Sequence, residues 1–166
     1  TSQNGQFFIK SSIFLQNVAD HNDRNLVVIY DDVADRGQRF ATESGAQYCG
    51  DLSTVLARDD VDGYIICSEN TRHLALLQSV IPMGKPVFCE KPFTINAAEA
   101  EKVVACARAQ DTFLMEAMWT RYLPHMRRIH EIIASGGIGE VRTVFADHTQ
   151  FMPTDPEHRI NALSLG

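Results

Sequence analysis

Three short runs of unbroken apolar residues constrain this chain most: Leu26-Val27-Val28-Ile29-Tyr30, Tyr64-Ile65-Ile66-Cys67 and Pro86-Val87-Phe88-Cys89. Each has the length of a strand, and the first is bounded by Asn25 and Asp31. A strand with one face in water alternates apolar and polar residues, whereas a strand covered on both faces does not. Unbroken runs therefore point to a parallel sheet with helices on both sides. The segments between them carry helical spacing. Val33 to Ser44 ends at Gly45, a residue suited to a C-cap. Asp51 to Ala57 is shorter, and Thr71 to Met83 carries Leu74, Leu76, Leu77 and Val80 before Gly84 stops it. Asn96 to Ala109, rich in alanine and glutamate and capped by Thr94 or Asn96, is the clearest helix. Phe113-Leu114-Met115 reads as a further short strand. Strand, helix, strand at such intervals is the signature of right-handed βαβ crossovers, so the expected class is α/β with a doubly wound, Rossmann-type parallel sheet.

The pattern changes near Tyr122. Leu123 to Ala134 reads as an amphipathic helix, with Met126, Ile129, Ile132 and Ile133 on one side and Arg127, Arg128 and Glu131 on the other. Gly136-Gly137 closes it, and Val141 to His148 reads as one long strand. From Phe151 onward no periodicity is visible. Two domains are expected, residues 1–121 and the beginning of an α+β domain over 122–166.

Bulk properties exclude several classes. A chain of 166 residues with 45% hydrophobic and 22% charged residues can bury a sizeable core. A net charge of −6 argues against nucleic acid, whose phosphates need a basic face. There is no apolar run long enough to span a bilayer, and Thr1 to Lys10 lacks the basic and apolar parts of a secretory signal, so a cytoplasmic protein is expected. Cys49, Cys67, Cys89 and Cys106 stand singly with no CxxC pair, which reads as buried thiols and no metal site.

The sharpest local feature is Cys89-Glu90-Lys91-Pro92, at the carboxyl end of the third run. In open α/β sheets ligands bind beyond the carboxyl ends of the strands, which puts Lys91 at the crevice. A solvated lysine at a strand end is the plain alternative. Pro92 restricts Lys91 to extended geometry. Asp31 ends the first run, where a carboxylate can accept from ribose hydroxyls and repel a 2′-phosphate. Asp32 beside it can fill the same role, or both can be solvated turn residues. His73 taken alone is a helix-start histidine. Trp119, Arg121 and Tyr122 taken alone are a packing cluster.

Together the motifs amount to a resemblance. Gly84-Lys85-Pro86-Val87-Phe88-Cys89-Glu90-Lys91-Pro92 followed by Asn96-Ala97-Ala98-Glu99-Ala100 resembles the core of the glucose–fructose oxidoreductase and inositol dehydrogenase family. Phe113 to Pro124, with Glu116-Ala117-Met118-Trp119-Thr120-Arg121-Tyr122, resembles its dimeric dihydrodiol dehydrogenase and xylose dehydrogenase branch, and Ser135 to Val141 matches the entry into the second domain. The resemblance covers roughly residues 12 to 166. It implies a nucleotide-binding domain over 1–121 and a substrate domain beginning at 122. It implies an oxidoreductase moving hydride between NAD(P) and the hydroxyl-bearing carbon of a sugar or vicinal diol, in a homodimer or higher homo-oligomer with no membrane partner. Lys91 is implied as the catalytic cation beside the nicotinamide, with a cis Lys91–Pro92 peptide. Ser68, Glu69, Asn70, His73, Glu90 and Pro92 are implied at the cofactor, with Glu69 replacing a usual proline. Asp31 or Asp32 reads the ribose, which favours NAD over NADP. Trp119 and Arg121 are implied at the substrate.

The chain also departs from the family. Its start, Thr1-Ser2-Gln3-Asn4-Gly5-Gln6-Phe7-Phe8-Ile9-Lys10, offers one glycine for the phosphate-binding GxGxxG, and Phe7 stands where the second belongs. The usual first strand is therefore expected to be lacking. Leu163 to Gly166 resembles the lead-in to a glycine-rich stretch bearing the family's catalytic tyrosine. Truncation at both ends is expected, and a reading of another class is a truncated or degenerate relative that only binds, as an interaction module.

Overall fold

The structure is a computed structural model that describes residues 5–10, 24–147, 149, 151 and 154. Its strands are β1 (Gly5–Lys10), β2 (Arg24–Tyr30), β3 (Gln47–Cys49), β4 (Gly63–Ile66), β5 (Val87–Cys89) and β6 (Leu114–Glu116). Helices α1 (Ala34–Ser44), α2 (Leu52–Leu56), α3 (Asn70–Val80) and α4 (Ala97–Ala109) alternate with them from β2 onward. All six strands pair in parallel, in the order β3-β2-β1-β4-β5-β6. This is the doubly wound α/β sheet expected from the unbroken apolar runs.

One expectation is corrected. The first strand is not lacking: Gly5–Lys10 forms β1, paired with β2 from Gly5↔Arg24 to Ile9↔Ile29 and with β4 from Phe7↔Gly63 to Lys10↔Ile66. Phe7-Phe8-Ile9 is too short an apolar run to signal a strand by periodicity. Its strand state comes from two neighbours distant in sequence that complete both rows of backbone hydrogen bonds. Residues 11–23, which follow β1, contain no glycine.

The strands alternate their side chains between two apolar layers. Val28, Tyr64, Ile66, Val87 and Cys89 face one, together with Val55 of α2, Leu76, Leu77 and Val80 of α3, and Val103 and Ala107 of α4. Ile29 and Ile65 face the other, against Ala41 of α1, with Phe40, Tyr48 and Phe88 around them. Local chemistry sets the helix ends. Gly45 at φ 72° and Gly84 at φ 69° supply the left-handed residues that close α1 and the turn after α3. Asp51 caps α2 by accepting from the Ser53 and Thr54 N–H groups, and Asn96 caps α4 by accepting from Glu99 N–H.

The chain divides into two compact units, Thr1–Ala117 and Met118–Gly166. Ala117, at the end of the first unit, donates its N–H to the Cys89 carbonyl at 2.8 Å. The second unit contains a 3₁₀ turn, Trp119–Tyr122, and α5 (Pro124–Ala134). The long strand expected over Val141 to His148 is a second correction: Val141–Asp147 takes no strand state, with Val144 77% and Phe145 94% exposed. His148 lies outside the described residues. An extended segment needs a neighbour to hold it as a strand, and none of the described residues pairs with this one.

Because Leu77 is wholly buried between α3 and the sheet, Leu77→Ala is expected to lower unfolding stability by about 2–5 kcal/mol. Urea denaturation checks it, and a change below about 0.5 kcal/mol, the size typical of surface sites, contradicts the packing described.

Candidate active site

The strand order turns back between β1 and β4, so the connections from these two strands leave in opposite directions. Beyond the carboxyl ends at such a point a crevice opens, where doubly wound sheets bind ligands. The segments leaving β2, β4 and β5 carry the residues singled out by sequence.

At the end of β2, Asp31 is fully buried. Its carboxylate accepts from the Val33 N–H at 2.8 Å, and from Arg36 Nε at 2.6 Å and Nη2 at 2.8 Å. The Arg36 fork is bidentate, and the carboxylate holds its guanidinium above the ordinary arginine range. Asp31 thus has its acceptors engaged from inside the fold. Asp32 is more exposed and pairs with Arg72 of α3, with Arg36 Nη2 at 3.8 Å. Glu69, which precedes α3, places Oε1 3.8 Å from Arg36 Nη1, while its Oε2 is buried with no hydrogen-bond partner among the described residues. Three carboxylates and two guanidiniums therefore form one network joining the ends of β2 and β4.

Packing underneath fixes this network. Tyr48 of β3 donates its hydroxyl to the Asp31 carbonyl at 3.1 Å. Gly37 in α1 makes room for the ring, because a Cβ there would sit 2.4 Å from Tyr48 Cε2 and 2.9 Å from Asp31 Cβ.

At the end of β5, the turn Glu90-Lys91-Pro92-Phe93 carries the exposed Lys91, and the Lys91–Pro92 peptide is cis, as the resemblance implies. The Lys91 ammonium makes no hydrogen bond or ion pair with any described residue. The turn itself is well held: Glu90 N–H donates to the Ile66 carbonyl at 2.8 Å, Lys91 N–H to Glu90 Oε2 at 3.0 Å, and Phe93 N–H to Glu116 Oε1 of β6 at 3.0 Å. Ser68, Glu69 and Asn70 lie half-buried on the segment leaving β4. His73 is wholly buried, with Nε2 3.0 Å from the Ser68 carbonyl and Nδ1 3.0 Å from that of Pro92. Cys67 is half-buried, its thiol pushed up to about 12 by desolvation and then by Glu90, which favours the thiol over the thiolate.

The structure brings Asp31, Asp32, Ser68, Glu69, Asn70, Glu90, Lys91 and Pro92 to the carboxyl edge of one sheet, with His73 behind that edge. Trp119 and Arg121 belong to the second unit, where Trp119 is 57% exposed and takes no part in a core. Sequence reasoning missed Arg36, Arg72, Glu116 and Tyr48. Arg36 stands five residues after Asp31, a spacing that could have suggested it. Arg72 lies forty residues from Asp32 and Glu116 twenty-three from Phe93, and nothing local announces either.

The family profile described as an oxidoreductase family with an NAD-binding Rossmann fold matches residues 5–118. The chain belongs to this family. Among curated proteins it is similar to D-xylose 1-dehydrogenase (NADP(+)) of Hypocrea jecorina, 39% identical over 66% of this chain and 28% of that one. It is also similar to trans-1,2-dihydrobenzene-1,2-diol dehydrogenase of Bos taurus, 40% identical over 68% of this chain and 34% of that one. Among solved structures, KijD10, a 3-ketoreductase from Actinomadura kijaniata in complex with NADP and TDP-benzene, superimposes with a TM-score of 0.73 at 26% identity, over 83% of this chain and 44% of that one. The chain thus spans less than half the length of these relatives.

The packing of Tyr48 under the Asp31–Arg36 network depends on Gly37. Gly37→Ala gains about 1 kcal/mol of helix propensity but drives a methyl into Tyr48 and Asp31. Overpacking of this kind costs about 1–3 kcal/mol, so the melting temperature is expected to fall. A rise on thermal denaturation contradicts the close approach described.

Proposed function

We propose that this chain is the dinucleotide-binding part of a dehydrogenase that moves hydride between NAD(P) and the hydroxyl-bearing carbon of a sugar or vicinal diol. The observation that carries this is Lys91: an exposed ammonium, unpaired among the described residues, on a turn held from two sides at the carboxyl edge of a doubly wound sheet. The names of the xylose and dihydrodiol dehydrogenase relatives support the substrate class. By the same resemblance the assembly is a cytoplasmic homodimer or higher homo-oligomer, and Trp119 and Arg121 contribute to the substrate pocket.

The residues present fit a nicotinamide dinucleotide at its two ends. Near the β2 and β4 ends, Arg36 and Arg72 offer donors, and the orphaned Glu69 Oε2 offers an acceptor for a ribose hydroxyl. Asp32, Ser68 and Asn70 flank them, and Glu90, Lys91 and Pro92 form the nicotinamide end. When bound, the nicotinamide supplies or takes up the hydride. Lys91 donates a hydrogen bond to the reacting oxygen and favours its alkoxide-like charge as the carbon–hydrogen bond breaks. Glu116 and the Ile66 carbonyl hold the backbone of the turn from which the Lys91 side chain extends.

Lys91→Met in the full-length protein is expected to lower kcat by roughly 10²–10³-fold with cofactor binding kept, by analogy with the loss of one oxyanion donor. Steady-state kinetics with aldoses and trans-diols check it, and a variant retaining half the wild-type kcat removes Lys91 from the chemistry.

One observation favours the second reading, a relative that keeps the fold and only binds other partners. Residues 11–23, which follow β1, contain no glycine to let a pyrophosphate approach the backbone. On its own this chain is expected to bind NAD weakly if at all under either reading, so calorimetric titration of the full-length protein with NADH and NADPH separates the two. A dissociation constant in the micromolar range supports the dehydrogenase, and no binding to either supports the second reading. The same titration reads cofactor choice. Asp31 favours NAD only if its carboxylate reaches the ribose, and Arg36 now occupies it. Arg36→Gln frees that acceptor and removes a cation, so preference is expected to shift toward NADH by about tenfold, one hydrogen bond to a charged group. An unchanged ratio takes Asp31 out of cofactor selection.

A further inference from the structure

His73 stands in the first turn of α3 with no part of its side chain exposed. Its Nε2 is 3.0 Å from the Ser68 carbonyl oxygen, on the segment leaving β4. On the opposite flank of the ring, Nδ1 is 3.0 Å from the Pro92 carbonyl and 3.1 Å from the Phe93 carbonyl. One imidazole therefore spans two loops, the cofactor-side segment with Ser68 and Glu69 and the turn that presents Lys91. All of its partners are carbonyl oxygens, which only accept, so each contact holds only where the facing nitrogen carries a proton: donation to both loops at once takes an N–H on each nitrogen, and a neutral ring donates to one of them.

Among the described residues, few other hydrogen bonds tie these loops to one another. Glu116 fastens the Phe93 N–H from the β6 side, and the Ile66 carbonyl fastens Glu90. His73 alone reaches the carbonyl oxygens just beyond Lys91, those of Pro92 and Phe93, from α3. A buried polar ring is costly unless its nitrogens are bonded, so the arrangement is stable only while both loops stay in register with α3. His73 is wholly buried.

We propose that His73 is a positioning residue for hydride transfer, acting through Lys91 by locking the turn that carries it against the segment leaving β4. This rests on the reading of Lys91 given above. A displacement of about 1 Å in a reacting group can cost on the order of 10²-fold in rate, which sets the scale expected.

The test is a double-mutant cycle in the full-length protein, with His73→Phe, Lys91→Met and the two combined. His73→Phe is expected to lower kcat on the order of 10²-fold in the Lys91 protein and by less than about threefold in the Lys91→Met background, because coupled residues are not additive. An equal loss in both backgrounds shows a general structural role and overturns the proposal, as does no loss in the Lys91 protein. His73→Gln, which keeps amide donors, is expected to recover part of the rate. Amide exchange supplies a readout independent of turnover. The Phe93 N–H, which stays bonded to Glu116 Oε1, is expected to exchange about tenfold faster in His73→Phe because the turn opens more readily once the contacts from His73 to the Pro92 and Phe93 carbonyls are gone, while Leu77 N–H in the body of α3 is unchanged. Unchanged exchange at Phe93 overturns the clamp itself. Retained turnover in Lys91→Met alone removes the underlying reading instead, and is distinguished because the exchange result then stands without a kinetic effect.

Discussion

Parallel strands deliver all their carboxyl ends to one edge of the sheet, and every functional feature of this chain follows from that constraint. Asp31, Glu69 and Lys91 are remote in sequence, yet each leaves a strand that runs the same way. The ladder that aligns them depends on β1, the strand with a neighbour on each side between β2 and β4. Without it the two halves of the sheet would lack their common register, and the segments leaving β2 and β4 could not share an ion network.

That network shows how a site can hold charge without leaving it free. A carboxylate buried at the end of β2 is tolerable because three donors converge on it. The cost is that its lone pairs face inward, toward α1. At the rim, Asp32, Arg72 and Glu69 are less buried than Asp31.

Much of the fold was legible because the physics was local. Unbroken apolar runs gave β2, β4 and β5, and alanine-rich spacing with an asparagine cap gave α4. What escaped was non-local. Phe7-Phe8-Ile9 carries no periodicity of its own, and β3 is only Gln47-Tyr48-Cys49, too short and too polar to stand out. Val141 to Asp147 erred the other way, since its composition suits a strand but no described partner completes it. At the site, Lys91 and its proline could be read from the motif. The arginine on Asp31, the glutamate under Phe93 and the burial of His73 could not, because each depends on which helix packs where.

The two outer strands of the sheet, β3 and β6, have three residues each. A strand that short gives an approaching chain room for only one or two backbone hydrogen bonds, too few to template extended pairing. The sheet is thus shielded at both margins against runaway stacking by brevity rather than by charge. Among the described residues the most exposed large apolar side chains, Phe145 and Phe151, lie in the second unit.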